Sequence, residues 1–114
     1  MADFKHLAVV KFRPDVNVGE ILQGVQALVS RIDTVKSLEW GEDLEGSEMV
    51  RQGFTHVIAV TFRNKEDYDA YVRHPEHVKF SAVFAQALDK VVVLDFQGMS
   101  VEQKVKESEL PMPS

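Results

Sequence analysis

The chain contains no cysteine. That excludes a disulfide framework, a thiolate nucleophile and a zinc knuckle. Basic residues are in the minority: 13 Lys and Arg against 18 Asp and Glu give a formal net charge of -5. A sequence-independent nucleic-acid binder needs a basic face, and this composition does not supply one. No apolar run approaches the roughly 18 residues of a membrane span. Met1-Ala2-Asp3 leads straight into a strand interrupted by Lys5, His6 and Lys11, which is not the pattern of a signal peptide. No internal repeat or low-complexity block is present. The expectation is a soluble, cytoplasmic protein.

What is present suits one globular domain. A length of 114 residues, 45% hydrophobic and 27% charged, is enough for a real core without staples. Periodicity switches between 2 and 3.6 along the chain. Phe4 to Phe12 alternates as a strand and ends at Arg13-Pro14-Asp15. Asn17 with Glu20 three residues on forms a capping-box pattern. Val18, Ile21, Leu22, Val25, Leu28, Val29 and Ile32 then follow at helical spacing. Thr34 to Trp40 reads as a second strand closed by Gly41, and residues 42–53 as a polar loop with room for one helical turn. Phe54 to Phe62 is rich in Val, Ile, Thr and Phe and reads as a strand.

Asn64 caps the next helix, with Glu66 and Asp67 in its first turn. Pro75 interrupts that helix, since proline forces the preceding residue out of the α region and itself suits a first turn. From Pro75 to about Leu88 a second segment carries His77, Phe80, Ser81, Phe84 and Leu88 on adjoining turns. Val91 to Phe96 is the last strand. Residues 1–97 form the domain, and residues 98–114 read as a polar, flexible tail.

The order β-α-β-β-α-β predicts an α+β, ferredoxin-like protomer: a four-stranded antiparallel sheet with its helices on one face. Alternation divides the strands into two sets. Phe4, His6, Ala8, Val10 and Phe12 share a face with Phe54, His56, Ile58, Val60 and Phe62, and with Val91, Val93 and Asp95. This bulkier set should meet the helices. Leu7, Val9, Val57, Ala59, Val92, Leu94 and Phe96 form an apolar opposite face with no element left to cover it. A homodimer, sheet against sheet, resolves that exposure.

The four histidines of the chain are its main chemical signal. Histidine titrates near neutrality and is the usual proton-transfer group. His6 and His56 lie in strands on the helix-covered face with Asp95. His74 and His77 sit at the helix junction, at neighbouring positions of a helical surface, with Tyr71 just before them. The bland alternative for each is a hydrogen-bonded core histidine or a packing aromatic. Their convergence predicts a polar pocket.

Five segments carry a family resemblance: Lys5-His6-Leu7-Ala8-Val9-Val10-Lys11-Phe12, Glu39-Trp40-Gly41-Glu42-Asp43, Gly53-Phe54-Thr55-His56, His74-Pro75-Glu76-His77-Val78 and Leu94-Asp95-Phe96. In this order and spacing the chain resembles the plant stress-responsive A/B barrel family over roughly residues 4–96. The resemblance implies a dimeric α+β barrel. The family includes small stress proteins and a polyketide cyclase, and the cyclase's tyrosine and histidine positions are filled here by Tyr71 and His77. It further implies supporting roles for His6, His56, His74 and Asp95, the last orienting His77. Ala8, Val10, Leu22, Val25, Ile58 and Phe84 are the expected pocket walls. Leu22, Val25 and Gln26 stand where the cyclase has aromatic walls, which bears on substrate size.

The implied activity is aldol closure of a linear polyketide-CoA, made by a type III polyketide synthase, into an aromatic carboxylic acid, with no cofactor. Three alternatives stand beside it. One is a stress-associated oligomer with structural histidines, and another is a carrier using the same pocket without turnover. The third is a metal site built from His74, Glu76, His77 and a strand histidine. No H-E-x-x-H spacing is present, and Glu76 lies off the face of His74 and His77, so no metal is expected.

Overall fold

Alternating apolar side chains make β1 (Phe4–Phe12) a strand, and the same pattern makes β3 (His56–Phe62) its antiparallel neighbour. The computed structural model describes residues 2–99. The expected tail falls outside the described residues from residue 100 onward. In chain order the remaining elements are α1 (Val18–Ser30), β2 (Ser37–Glu42), α2 (Glu48–Arg51), α3 (Lys65–Arg73), α4 (Pro75–Gln86) and β4 (Leu88–Gln97). The sheet runs β2-β3-β1-β4 and is antiparallel throughout. This is the ferredoxin-like arrangement expected from the element order.

The helices begin where capping chemistry dictates. Asn17 accepts a hydrogen bond from the Glu20 backbone N–H at 3.1 Å, and Asn64 accepts from that of Asp67 at 2.8 Å. Each bond satisfies a donor left orphaned in a first turn. The α1 stripe buries Leu22, Val25 and Leu28, with Ile32 just beyond the helix, against Ala8, Val10, Ile58, Val60 and Phe62. Val10 and Phe62 are fully buried and anchor this core.

Three expectations need correction. The second strand begins at Ser37 rather than Thr34 and runs through Gly41, which pairs with Val57. Gly41 therefore continues the ladder instead of closing it. The last strand is longer than the segment Val91–Phe96, because Lys90 and Leu88 also pair with β1 across a register shift. Finally, Val91 and Val93 share the helix-side parity yet are 48% and 47% exposed. Sheet order explains this: β4 is an edge strand, and the helices pack over β1 and β3.

The opposite sheet face is open, as parity requires. Val57, Val92, Leu94 and Phe96 are all exposed there, beside half-buried Leu7 and Val9. No helix among the described residues is long and apolar enough to cross a membrane.

Candidate functional site

Pro75 builds the centre of the site. It ends α3 at Arg73 and starts α4, with His74 extended between them at φ -61° and ψ 132°. The His74 ring turns back to cap α4, its Nδ1 accepting from the Glu76 backbone N–H at 3.1 Å. His74 is thus the hinge residue and does not line the cavity, contrary to its expected place in the pocket. His77, one turn into α4, donates from Nδ1 to the Val72 carbonyl at 3.2 Å. Val72 lies in the last turn of α3, where carbonyls lack helical partners. Because a carbonyl can only accept, this bond puts the neutral ring's proton on Nδ1 and leaves Nε2 bare.

The same bend sets the His77 ring against Tyr71, tilted by 55° with ring centroids 4.5 Å apart. Burial lowers the His77 imidazole below its ordinary value; the Val72 carbonyl opposes this, and His6 and His74 add to the lowering. His77 is therefore a neutral base at pH 7. Burial, with a smaller contribution from Tyr68, pushes the Tyr71 phenol up to about 12. It therefore stays protonated. One group ready to take a proton lies beside one ready to give a hydrogen bond.

Both face a cavity of about 80 Å³ between the sheet and helices α1 and α4. His6, Tyr71, His77 and Ser81 supply its polar lining. Ala8, Val25, Ile58 and Phe84 are walls, as expected, and Leu28, Val60 and Phe80 join them. Phe80 fits closely because Gly24 faces it: a Cβ there would stand 2.7 Å from the Phe80 ring. Val10 and Leu22, expected as walls, are packed into the core instead. A groove of about 310 Å³ along β4 adjoins the cavity, sharing His6, His77 and Phe84 with it and reaching Leu88, Val91 and Val93.

Strand register separates the two strand histidines. His6 pairs with Val60, whereas His56 pairs with Val10. Four residues of strand put them roughly 13 Å apart, so the shared face does not make a shared pocket. His56 contacts Thr55 Oγ1 at 2.8 Å and meets the Phe12 ring edge-on. It lines a separate depression with Asp43 and Arg51.

Asp95 also departs from its expected place beside His77. It lies opposite His6 on β1, and its Oδ1 is 2.5 Å from His6 Nδ1. Its Oδ2 accepts from the Tyr68 hydroxyl at 3.1 Å. Tyr68 belongs to none of the sequence motifs, although it precedes Tyr71 by three residues and so shares its helical face. Among the described residues there is no group of three or more His, Asp or Glu side chains placed to hold a metal ion.

A ferredoxin-like sheet with a small, mostly apolar cavity between it and the helices is the architecture of the class. The chain belongs to the stress responsive A/B barrel domain family, whose model matches residues 4–97. It is 57% identical to a stress-response A/B barrel domain-containing protein of Arabidopsis thaliana, over 90% of this chain and 92% of that protein. Olivetolic acid cyclase of Cannabis sativa is 32% identical over 81% of this chain and 93% of the cyclase. A crystal structure of an Arabidopsis thaliana protein superposes with a TM-score of 0.80 at 36% identity, covering 88% of this chain and 99% of that one.

Proposed function

We propose that the protein is a cofactor-independent cyclase acting on poly-β-keto thioesters. The observation that carries this reading is the close, tilted Tyr71–His77 ring contact, with the His77 Nδ1 proton held by the Val72 carbonyl and both rings lining a mostly apolar cavity. A methylene between two carbonyls is acidic enough for a positioned imidazole to deprotonate. His77 Nε2 takes that proton, and the resulting enolate carbon attacks a ketone further along the chain. A carbon–carbon bond forms, the carbonyl electrons move to oxygen, and the Tyr71 hydroxyl supplies the proton that oxygen needs. The proton on His77 then restores the phenol. Loss of water and hydrolysis of the thioester give an aromatic carboxylic acid and free CoA.

Similarity to olivetolic acid cyclase supports this reading, as does the groove along β4, which offers space for the part of the chain that the small inner cavity cannot hold. A type III polyketide synthase is the matching source of substrate. Added to such a synthase, the protein should yield carboxyl-retaining aromatic product by mass spectrometry, lost in His77→Ala and reduced in Tyr71→Phe. Only spontaneous pyrones at every starter length would sink the proposal.

A second reading is favoured by the 57% identical relative, named for stress response: a dimer that binds a small molecule in this cavity without turnover. Ligand binding without product formation would decide for it. In either reading the open face of Leu7, Val9, Val57, Val92 and Leu94 is the proposed homodimer interface.

A further inference from the structure

We propose that Tyr68 is a positioning residue which, through Asp95, holds His6 with a bare Nε2 toward the cavity, where it accepts the enol hydroxyl of a 1,3-dicarbonyl ligand. The inference rests on the cyclase reading for its substrate class, and it adds a second substrate-facing nitrogen to that of His77.

The geometry is a chain of three groups. Tyr68 donates to Asp95 Oδ2 at 3.1 Å, and His6 Nδ1 stands 2.5 Å from Asp95 Oδ1. A carboxylate is acceptor-only, so each of its oxygens calls for a donor. The phenol occupies one oxygen and leaves the other for His6 Nδ1–H. That bond fixes the tautomer of a neutral imidazole and leaves Nε2 as an acceptor. Tyr68 is itself held by rings on three sides: Phe4 at 4.8 Å, Phe62 at 5.4 Å and His6 at 5.6 Å between centroids. Burial and the adjoining Asp95 charge push its phenol up to about 12, so it remains a donor.

His6 lines both the inner cavity and the groove along β4. A ligand passing from one to the other must pass it. Poly-β-keto chains enolise, and an enol hydroxyl is a donor that matches a bare imidazole nitrogen. His77, by contrast, meets the methylene carbon acid.

The test is ¹⁵N NMR of the His6 ring, together with calorimetric binding of pentane-2,4-dione, the simplest such dicarbonyl. The parent should show a single Nδ1–H tautomer. Tyr68→Phe keeps the ring contacts and removes only the hydroxyl; the Asp95 carboxylate, still acceptor-only, keeps the Nδ1–H tautomer but is no longer held in place, so the dione should bind roughly three- to tenfold more weakly, the worth of one hydrogen bond. In Asp95→Asn the Tyr68 phenol takes the amide oxygen and turns the NH₂ toward His6. The His6 tautomer should then flip to Nε2–H. An unchanged tautomer in Asp95→Asn, or unchanged dione affinity in Tyr68→Phe, would overturn the inference. Tautomer and dione responses in a protein that cyclises no thioester would uphold it while ending the cyclase reading.

Discussion

Substituting Gly24 by Ala sets two magnitudes against each other at the wall of the cavity. Gly24 lies inside α1, where Ala is favoured over Gly by about 0.8–1.0 kcal/mol. The new methyl, however, would stand 2.7 Å from Phe80 Cε1 and 3.3 Å from Cζ. Carbon contacts are most favourable near 3.5–4.0 Å, so the Phe80 ring must move by roughly an ångström. Overpacking of this kind costs about 1–3 kcal/mol, which outweighs the helical gain. Gly24→Ala should therefore destabilise the fold by roughly 0–2 kcal/mol, with each kcal/mol lowering Tm by about 4–8 °C. The displaced ring should also reduce the inner cavity and weaken ligand binding. In a Phe80→Leu background the colliding atoms are gone, and the same substitution should stabilise by about 1 kcal/mol. Melts at one fixed protein concentration give both numbers. Equal stabilisation in the two backgrounds would refute the close α1–α4 packing on which the cavity wall depends.

Two further outcomes follow from burial and charge. The His77 imidazole is lowered from 6.5 by burial, so between its folded value and 6.5 the unfolded chain binds more protons. Its contribution to stability is thus full above pH 6.5 and is lost as pH falls toward the lowered folded value; pH-dependent urea melts should show this component in the parent and not in His77→Gln. On the open sheet face, Val57→Lys places a charge among Leu7, Val9, Val92 and Leu94. Light scattering should then report monomers or insoluble protein, and a monomeric parent would remove the interface from the account.

Local chemistry made most of the fold legible in the sequence. The Asn17 and Asn64 caps, the break at Pro75 and the two strand faces all follow from interactions a few residues apart. Tyr71, His77 and His6 come together as expected, because the junction and strand parity alone bring them to one face. Parity does not give position along a strand, however. His56 shares the face with His6 yet lies four residues away in register, outside the cavity. The resemblance puts Asp95 beside His77, but the β1–β4 register sets it opposite His6. His74 and His77 look equivalent in the sequence, and only the direction of each ring makes one a cap and the other a base. The exposure of Val91 and Val93 depends on strand order, which alternation within a strand does not encode.

Proton exchange tests the Tyr71–His77 assignment most directly, because it isolates the first chemical step from ring closure and product release. An acetoacetyl thioester in D₂O carries the required methylene and is too short to cyclise. Its exchange at that carbon, followed by NMR, should be accelerated by the parent protein. His77→Ala should lose about 10²–10⁴-fold of that acceleration, the usual worth of a positioned general base, and Tyr71→Phe should slow exchange while leaving the fold intact. Exchange at the buffer rate in the presence of the parent, or at the parent's rate in His77→Ala, would contradict the assignment of His77 as the base.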